Sequence, residues 1–395
     1  MALTTLLSLA LMLPISAADP DVALKEIIDY RTSEIAKARE AKTTIDAATL
    51  NAKVKSMALE AIKDVKPSEV QPAKGYSWMQ LFMMAEKYED IKALCEKYME
   101  SMPDANGKYS AEFTCLQAFY QMGKTDDAVM TIKMIDLPGI NQASTILSYA
   151  GYYADQIASS QGVEAGVALL DGVKAKIPAA TTDADKTALG RALASYYTAK
   201  AELYSGAGKT DMAKQVLQAA MADANVGEAN LRGLKSLETR ITMIGAPAPA
   251  VESERGYGNY PGLDGLKGKV VLLDFFAHWC GPCIAAFPAM RTMYDDLKGS
   301  GLEIIGITRY YGYYGQERNM DKDTEFAKMD EFMKKHNMNW PVIYDANNSF
   351  TSYGITGIPH VTIIDKQGNV RDIKIGYSAE GMKKLRQQVE AMLKE

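Results

Sequence analysis

The chain has 395 residues, of which 47% are apolar, enough for about two or three domains that each bury a hydrophobic core. Its 44 Lys and Arg residues and 49 Asp and Glu residues leave a net charge of −5, which disfavours nucleic acid as the main partner. Four cysteines are too few for a small disulfide-stapled fold, and three histidines leave little for a His-rich metal site.

Residues 1–18 are typical of a secretory signal peptide. An apolar run from Leu3 to Ile15 is followed by the small residues Ser16-Ala17-Ala18, although no Lys or Arg precedes the run. The run is shorter than the roughly 20 apolar residues that span a bilayer. We therefore predict cleavage after Ala18 and export, to the periplasm or another secretory space, where disulfides form. The alternative is an apolar N-terminus that is disordered or packed in a core.

Residues 19–244 have the composition of an α-helical domain. They are rich in Ala, Met, Leu, Lys and Glu and poor in proline and in β-branched runs. The motif Gly-Lys-Thr-Asp-Asp-Ala at residues 123–128 recurs as Gly-Lys-Thr-Asp-Met-Ala at residues 208–213. Each copy follows an aromatic-containing segment and precedes an amphipathic one, and such self-similarity predicts stacked helical hairpins.

Residues 75–225 resemble tetratricopeptide repeats in a degenerate form, with irregular spacing between units. The small or apolar positions of a second repeat helix occur twice, at Ile91, Cys95, Tyr98 and Pro103, and at Ala213, Leu217 and Ala220. Two interpretations stay open: a groove for a protein partner, or apolar stripes that only bury one another. Cys95 and Cys115 lie on adjacent predicted helices, either bridged or as free core thiols, and we assign them no catalytic role.

Residues 245–395 have the pattern of an α/β domain. A Gly- and Pro-rich segment begins at residues 245–249 and marks a domain boundary. A fully buried strand follows at residues 270–276. Helices are predicted at about 280–298, 324–336 and 379–393, and further strands at 302–307, 341–344, 361–365 and 370–377.

The motif Trp279-Cys280-Gly281-Pro282-Cys283 directly follows the buried strand and begins a helix. Backbone N–H groups and the helix dipole stabilise negative charge at the first helical turn, so we expect a lowered pKa for the Cys280 thiol. Its thiolate attacks a disulfide, and Cys283, one turn later, resolves the mixed disulfide, while Gly281 and Pro282 hold the turn. A zinc site would need two further Cys or His ligands at suitable spacing. His278 adjoins the pair but lies at the strand exit, while His336 and His360 are far along the chain, so we predict no metal and no cofactor.

Residues 245–395 resemble the TlpA-like extracytoplasmic redoxins of the thioredoxin family. The resemblance rests on Ala246-Pro247-Ala248-Pro249, the strand that leads into Trp-Cys-Gly-Pro-Cys, Phe287-Pro288, Gly357-Ile358-Pro359 and Ile363-Ile364-Asp365. It implies a central mixed sheet flanked by helices, and a cis peptide bond between Ile358 and Pro359 beside the cysteines. It further implies that Ile358 and Pro359, together with Trp279, Gly281 and Pro282, contact an extended substrate segment.

Asp274 lies six residues before Cys280, inside an otherwise apolar strand. A buried carboxylate is costly, and desolvation raises its pKa. The resemblance implies that Asp274 relays a proton to or from Cys283. The alternative is a partly exposed residue at the end of the strand.

Three features depart from the family pattern. Ile284-Ala285-Ala286 occupies positions where many redoxins carry a Glu, and His360 replaces the usual Thr after the proline. His360 would either face the cysteines or face solvent. The segment Tyr310-Tyr311-Gly312-Tyr313-Tyr314-Gly315 would be either a contact surface for a partner or a lid packed on neighbouring structure.

The leading hypothesis is an exported thiol-disulfide oxidoreductase that reduces protein disulfides. The Gly-Pro dipeptide favours a reductant, which would need an outside electron donor such as a membrane thiol carrier. A second hypothesis is a scaffold whose helical half binds a partner protein and whose redox half is regulatory. A third is a thiol peroxidase, disfavoured because Phe, Ala and His stand where peroxiredoxins carry Pro and Thr or Ser upstream of the cysteine.

Overall fold

The structure is a computed structural model that describes residues 19–41 and 43–395. The chain forms two compact units, which divide between Ala199 and Lys200. The predicted signal peptide, residues 1–18, lies outside the described residues. Within the described ranges, no helix is long and apolar enough to cross a membrane.

The N-terminal unit is helical, as the composition predicts. Each helix from α1 to α7 packs against the next one in the chain. The described helices are α1 (Pro20–Glu40), α2 (Ala47–Ile62), α3 (Gly75–Met84), α4 (Ile91–Met99), α5 (Ala105–Met122), α6 (Thr125–Met134), α7 (Ala143–Gln161), α8 (Val163–Lys174) and the first part of α9 (Asp183–Gly206). The tetratricopeptide-like assignment stays a prediction.

The two copies of the Gly-Lys-Thr-Asp motif form the same helix-ending turn. Gly123 and Gly208 both adopt the left-handed conformation, with φ of 65° and 72°. In each copy the next residue donates its backbone N–H to a carbonyl five residues earlier, at 2.9 Å. This is the Schellman arrangement, which favours glycine because it has no Cβ. Helices then begin at Thr125 and at Thr210.

The C-terminal unit has the predicted α/β order. Its helices are the end of α9, α10 (Thr210–Ala222), α11 (Glu228–Met243), α12 (Gly281–Leu297), α13 (Lys322–His336), α14 (Ser349–Ser352) and α15 (Ala379–Lys394). Its strands are β1 (Ser253–Tyr257), β2 (Val270–Phe275), β3 (Leu302–Thr308), β4 (Tyr313–Tyr314), β5 (Glu317–Arg318), β6 (Val342–Asp345), β7 (His360–Ile364) and β8 (Val370–Ile375). Strand β1, the β4–β5 hairpin and α14 were not predicted, because each is short and lacks a clear period.

Six strands form one mixed sheet in the order β1-β6-β3-β2-β7-β8. Strand β2 is parallel to β3 and antiparallel to β7. It is buried along its whole length because helices cover both faces of the sheet. The fold is therefore a helical N-terminal region followed by a thioredoxin-like α/β domain with a central mixed sheet.

Successive side chains of β2 enter two separate cores. Leu272 packs in the core that contains Cys280, Cys283 and α12, whereas Leu273 packs in the core on the other face. Met243 of α11 belongs to this second core. Helix α11 thus lies before the predicted boundary at residue 245 yet packs on the sheet that follows it.

Candidate redox site

Helix α12 begins at the cysteine motif. Cys280 is its N-cap residue, and the Cys280 Sγ accepts the backbone N–H of Cys283 at 3.2 Å. Pro282 lies in the first turn. Proline is tolerated there because backbone N–H groups in the first turn have no hydrogen-bond partner within the helix. Cys280 and Cys283 form a disulfide, with a Cα–Cα distance of 5.3 Å. The sulfur of Cys280 therefore lies where a helix N-terminus stabilises negative charge.

Trp279 is the exposed neighbour of this buried disulfide. Half of its surface is exposed (50%), against 4% for Cys280 and 1% for Cys283. The indole ring packs edge to face on Tyr311, with ring centroids 5.4 Å apart. A large aromatic side chain thus stands at the surface beside the disulfide.

The Ile358–Pro359 peptide bond is cis, which confirms that prediction. Pro359 and Asp274 line one cavity of about 430 Å³, together with α12 residues and Lys374 of β8. The structure thus brings Asp274 and Pro359, far apart in the chain, to one cavity.

Asp274 is buried inside β2, with 1% of its surface exposed, so the partly exposed alternative is wrong. It alternates with Leu272 and Phe276, which pack in the core of the cysteine pair, so it lies on the same face of the sheet. Among the described residues, its Oδ2 has no hydrogen-bond partner. Desolvation raises the pKa of Asp274 to about 7. The carboxyl group can therefore take up or release a proton near neutral pH.

Neither expectation for His360 is correct. The side chain is fully buried, which excludes a solvent-facing position. It also lies on the face opposite to the cysteines, where its ring packs edge to face on Phe275 at 5.7 Å and its Nε2 is 3.3 Å from Thr362 Oγ1. Burial, and to a smaller extent Arg240, lowers the pKa of His360 to about 4. His360 is therefore a neutral core residue behind the sheet at neutral pH.

The tyrosine segment surrounds His278, the residue before Trp279. The imidazole stacks on Tyr314 with centroids 4.9 Å apart, and Tyr311 and Tyr313 contact it at 5.8 and 5.3 Å. Burial lowers the pKa of His278. The tyrosines are therefore packed on the structure next to the cysteine motif, and a partner-contact role stays a prediction.

Glu325 holds this tyrosine segment in place, and the sequence analysis missed it. Its side chain is 2% exposed, and its carboxylate accepts the backbone N–H groups of Tyr311 at 2.8 Å and Gly312 at 2.9 Å. The available signal was its place on the apolar face of α13, four residues before the buried Met329. A charged residue in such a stripe indicates a specific buried partner.

A metal site built from His, Cys, Asp and Glu side chains is not found in residues 19–41 and 43–395. No set of three or more His, Cys, Asp or Glu side chains is placed to hold a metal ion there.

Comparison with known proteins points to one family. Residues 243–393 match the Redoxin family. The thiol-disulfide oxidoreductase ResA of Bacillus subtilis (strain 168) is 30% identical over 139 residues, which cover 35% of this chain and 70% of that protein. ResA of Bacillus anthracis is 31% identical over 134 residues, which cover 34% of this chain and 70% of that protein. A solved thiol:disulfide interchange protein of the thioredoxin family from Chlorobium tepidum TLS is 26% identical and covers 37% of this chain and 95% of that one, with a TM-score of 0.31.

The sheet, the helix that begins at the cysteine pair and the two ResA relatives define a thiol-disulfide oxidoreductase with a thioredoxin-like domain and a redox-active cysteine pair. The chain belongs to the Redoxin family. The narrower TlpA-like assignment stays a prediction.

Proposed function

We propose that this protein is an exported oxidoreductase that reduces disulfides in other proteins, with Cys280 as the nucleophile and Cys283 as the resolving thiol. The observation that carries the proposal is the hydrogen bond from the Cys283 backbone N–H to the Cys280 Sγ at the start of α12. The same bond stabilises a thiolate on Cys280 once the disulfide is reduced. Within the described part of the chain, Cys283, one turn further on, has no such contact from a backbone N–H to its sulfur.

In the first step, the Cys280 thiolate attacks one sulfur of the substrate disulfide. The substrate S–S bond breaks, a Cys280-substrate bond forms, and the departing sulfur leaves as a thiolate that takes a proton from solvent. Trp279 and the cis Ile358–Pro359 segment flank the substrate at this stage. An extended substrate segment would hydrogen-bond to the backbone of Ile358.

In the second step, Cys283 loses its proton and attacks the Cys280 sulfur. The second substrate thiol is released and the Cys280–Cys283 disulfide forms, so two electrons pass from the protein to the substrate. Asp274 accepts the Cys283 proton, because its pKa of about 7 leaves it partly ionised at neutral pH. The Ile284-Ala285-Ala286 stretch of α12 offers no carboxylate to share this task.

Turnover requires an electron donor, because each cycle leaves the cysteine pair oxidised. In the exported protein the donor is a membrane thiol carrier that reduces Cys280–Cys283 by the reverse exchange. Export itself is tested by N-terminal sequencing of the protein recovered from an extracytoplasmic fraction. A mature chain beginning at Asp19 supports it, and a cytoplasmic chain that retains residues 1–18 contradicts it.

The central experiment is the reduction potential of Cys280–Cys283 in redox buffers, followed by fluorescence of the adjacent Trp279. A value near about −270 mV supports a reductant, whereas one near about −120 mV makes the protein an oxidant. Reduction of insulin with a dithiol donor should depend on Cys280. If the pair never cycles, the redox proposal fails and the scaffold hypothesis replaces it.

A further inference from the structure

A cavity of about 380 Å³ opens between α4, α5 and α6 of the N-terminal unit, and sulfur atoms line it. Helix α4 contributes Cys95 and Met99, α5 contributes Cys115, and α6 contributes Met130 and Met134. The pairs on α4 and α6 are four residues apart, so each pair lies on one helix face. Five sulfur side chains from three helices therefore share one cavity.

The two thiols form the inner part of this cluster. Cys95 and Cys115 are 8% and 5% exposed and both are free. The Cys115 thiol donates to the backbone carbonyl of Ile91, one helical turn before Cys95, at 3.9 Å. The thioethers form the outer part: Met130 is 61% exposed and Met134 is 63% exposed. The cavity thus leads from thioethers at the surface to a buried pair of thiols.

The charges around the cavity favour a cation. Its lining includes the carboxylates of Glu96, Glu112 and Asp127 but only one cationic side chain, Lys92. Lys92 pairs with Asp127 at 3.5 Å, and Lys108, outside the lining, is 3.9 Å from Glu112 Oε1. The lining itself still carries three carboxylates against one cationic side chain. Among the described residues, Glu112 Oε2 has no hydrogen-bond partner. An incoming positive charge is stabilised here and an anion is not.

The chemistry of the ligands selects the ion. Thiolate and thioether sulfur are soft ligands that favour Cu(I), whereas carboxylates and water suit Mg²⁺ and Ca²⁺. No histidine lines the cavity, and among the described residues its thiols and carboxylates do not form a set of three or more that could hold a zinc ion. Two thiolates with additional thioethers fit a monovalent ion that accepts a low coordination number.

We infer that this cavity is a Cu(I)-binding site, with Cys95 and Cys115 as ligands and the methionines at its mouth as the entry path. Binding forms two Cu–S bonds and releases the two thiol protons to solvent, and the copper stays in the +1 state. The site is separate from the Cys280–Cys283 pair in sequence and chemistry. It was not predicted from the sequence, where twenty residues separate the two cysteines.

The test uses the full-length chain with Cys280→Ser and Cys283→Ser, so that only Cys95 and Cys115 remain as thiols. The reduced protein is titrated without oxygen with Cu(I) held by the chromophoric chelator bicinchoninate. We expect uptake of one equivalent and a thiolate-to-copper absorption band. Adding Cys95→Ser and Cys115→Ser should abolish both signals, with circular dichroism as the check on folding.

Surface variants keep the test valid if the buried cysteine changes impair folding. Met130→Leu with Met134→Leu should weaken Cu(I) binding by about tenfold, whereas Met102→Leu, an 88% exposed methionine outside the cavity, should leave it unchanged. The proposal is overturned if the two-cysteine protein takes up no Cu(I). It is also overturned if binding is the same in all methionine variants, or if Cys95 and Cys115 form a disulfide that dithiothreitol cannot open.

Discussion

Asp274 of β2 and His360 of β7 are offset by one position in the antiparallel ladder, and their side chains lie on opposite faces of the sheet. Asp274 pairs with Val361, and His360 pairs with Phe275. Burial raises the pKa of Asp274 to about 7 and lowers that of His360 to about 4, because each charged form loses its hydration. Both groups are therefore neutral over much of the range between these values.

The wild-type protein should become less stable as pH rises toward 7, and Asp274→Asn should prevent this decrease in stability. The native carboxyl keeps its proton up to about pH 7, whereas the unfolded chain releases it near 3.8, so the native protein loses stability over that window. We expect the variant to exceed the wild type by up to about 4 kcal/mol above pH 7 and to match it below pH 4. Denaturant unfolding across pH measures the difference.

The same substitution should slow disulfide reduction by about a hundredfold, because Asn cannot accept the Cys283 proton. The pH profile of insulin reduction should also lose the ionisation near pH 7. A variant that keeps both the rate and the profile would remove Asp274 from the proposed mechanism.

His360→Gln should have the opposite pH dependence. The unfolded imidazole takes up a proton near pH 6.5, whereas the buried one does so only near 4, so wild-type stability falls as pH decreases through this window. We expect Gln to prevent up to about 3 kcal/mol of this loss at pH 4. In the double variant with Asp274→Asn, both the loss of stability toward high pH and the loss toward low pH should vanish. If His360→Gln alone left the dependence of stability on pH between about 4 and 6.5 unchanged, burial would not lower the pKa of His360.

The roles of the two cysteines differ in the proposed mechanism. Cys280→Ser should abolish insulin reduction, whereas Cys283→Ser should accumulate a mixed disulfide between Cys280 and the substrate. Non-reducing gels measure the adduct, which dithiothreitol should release. Met102→Leu, at an 88% exposed position outside the redox site, is the control and should reduce insulin normally. An adduct that forms with Cys280→Ser instead would reverse the two assignments.

Glu325→Gln should loosen the tyrosine segment beside Trp279. The carboxylate accepts two backbone N–H groups, and an amide offers only one acceptor oxygen, so one buried donor is left unpaired. We expect a loss of about 1–3 kcal/mol in stability. Hydrogen exchange at Tyr311 and Gly312 should become faster. Glu331→Gln, on the exposed side of the same helix, is the control and should change neither quantity.

Local patterns in the sequence determined the main elements and the reactive pair. The apolar run of β2 predicts a strand buried on both faces and makes Asp274 a candidate buried carboxylate, and the structure excludes the partly exposed alternative. The two-residue spacing after that strand places Cys280 and Cys283 one turn apart on a helix, whichever helices and strands surround it. The alternation of helical and strand periods along residues 245–395 likewise predicts an α/β domain.

Tertiary structure decided which distant residues meet. Strand register sets the face on which His360 lies, and that register depends on the pairing of β7 with β2. Glu325 and Tyr311 are brought together by the packing of α13, and Cys95, Cys115 and Met130 by the packing of three helices. Residue type and short spacing specify local conformation. Contacts between distant residues depend on how the helices and strands pack together, and the sequence of one helix or strand does not determine that packing.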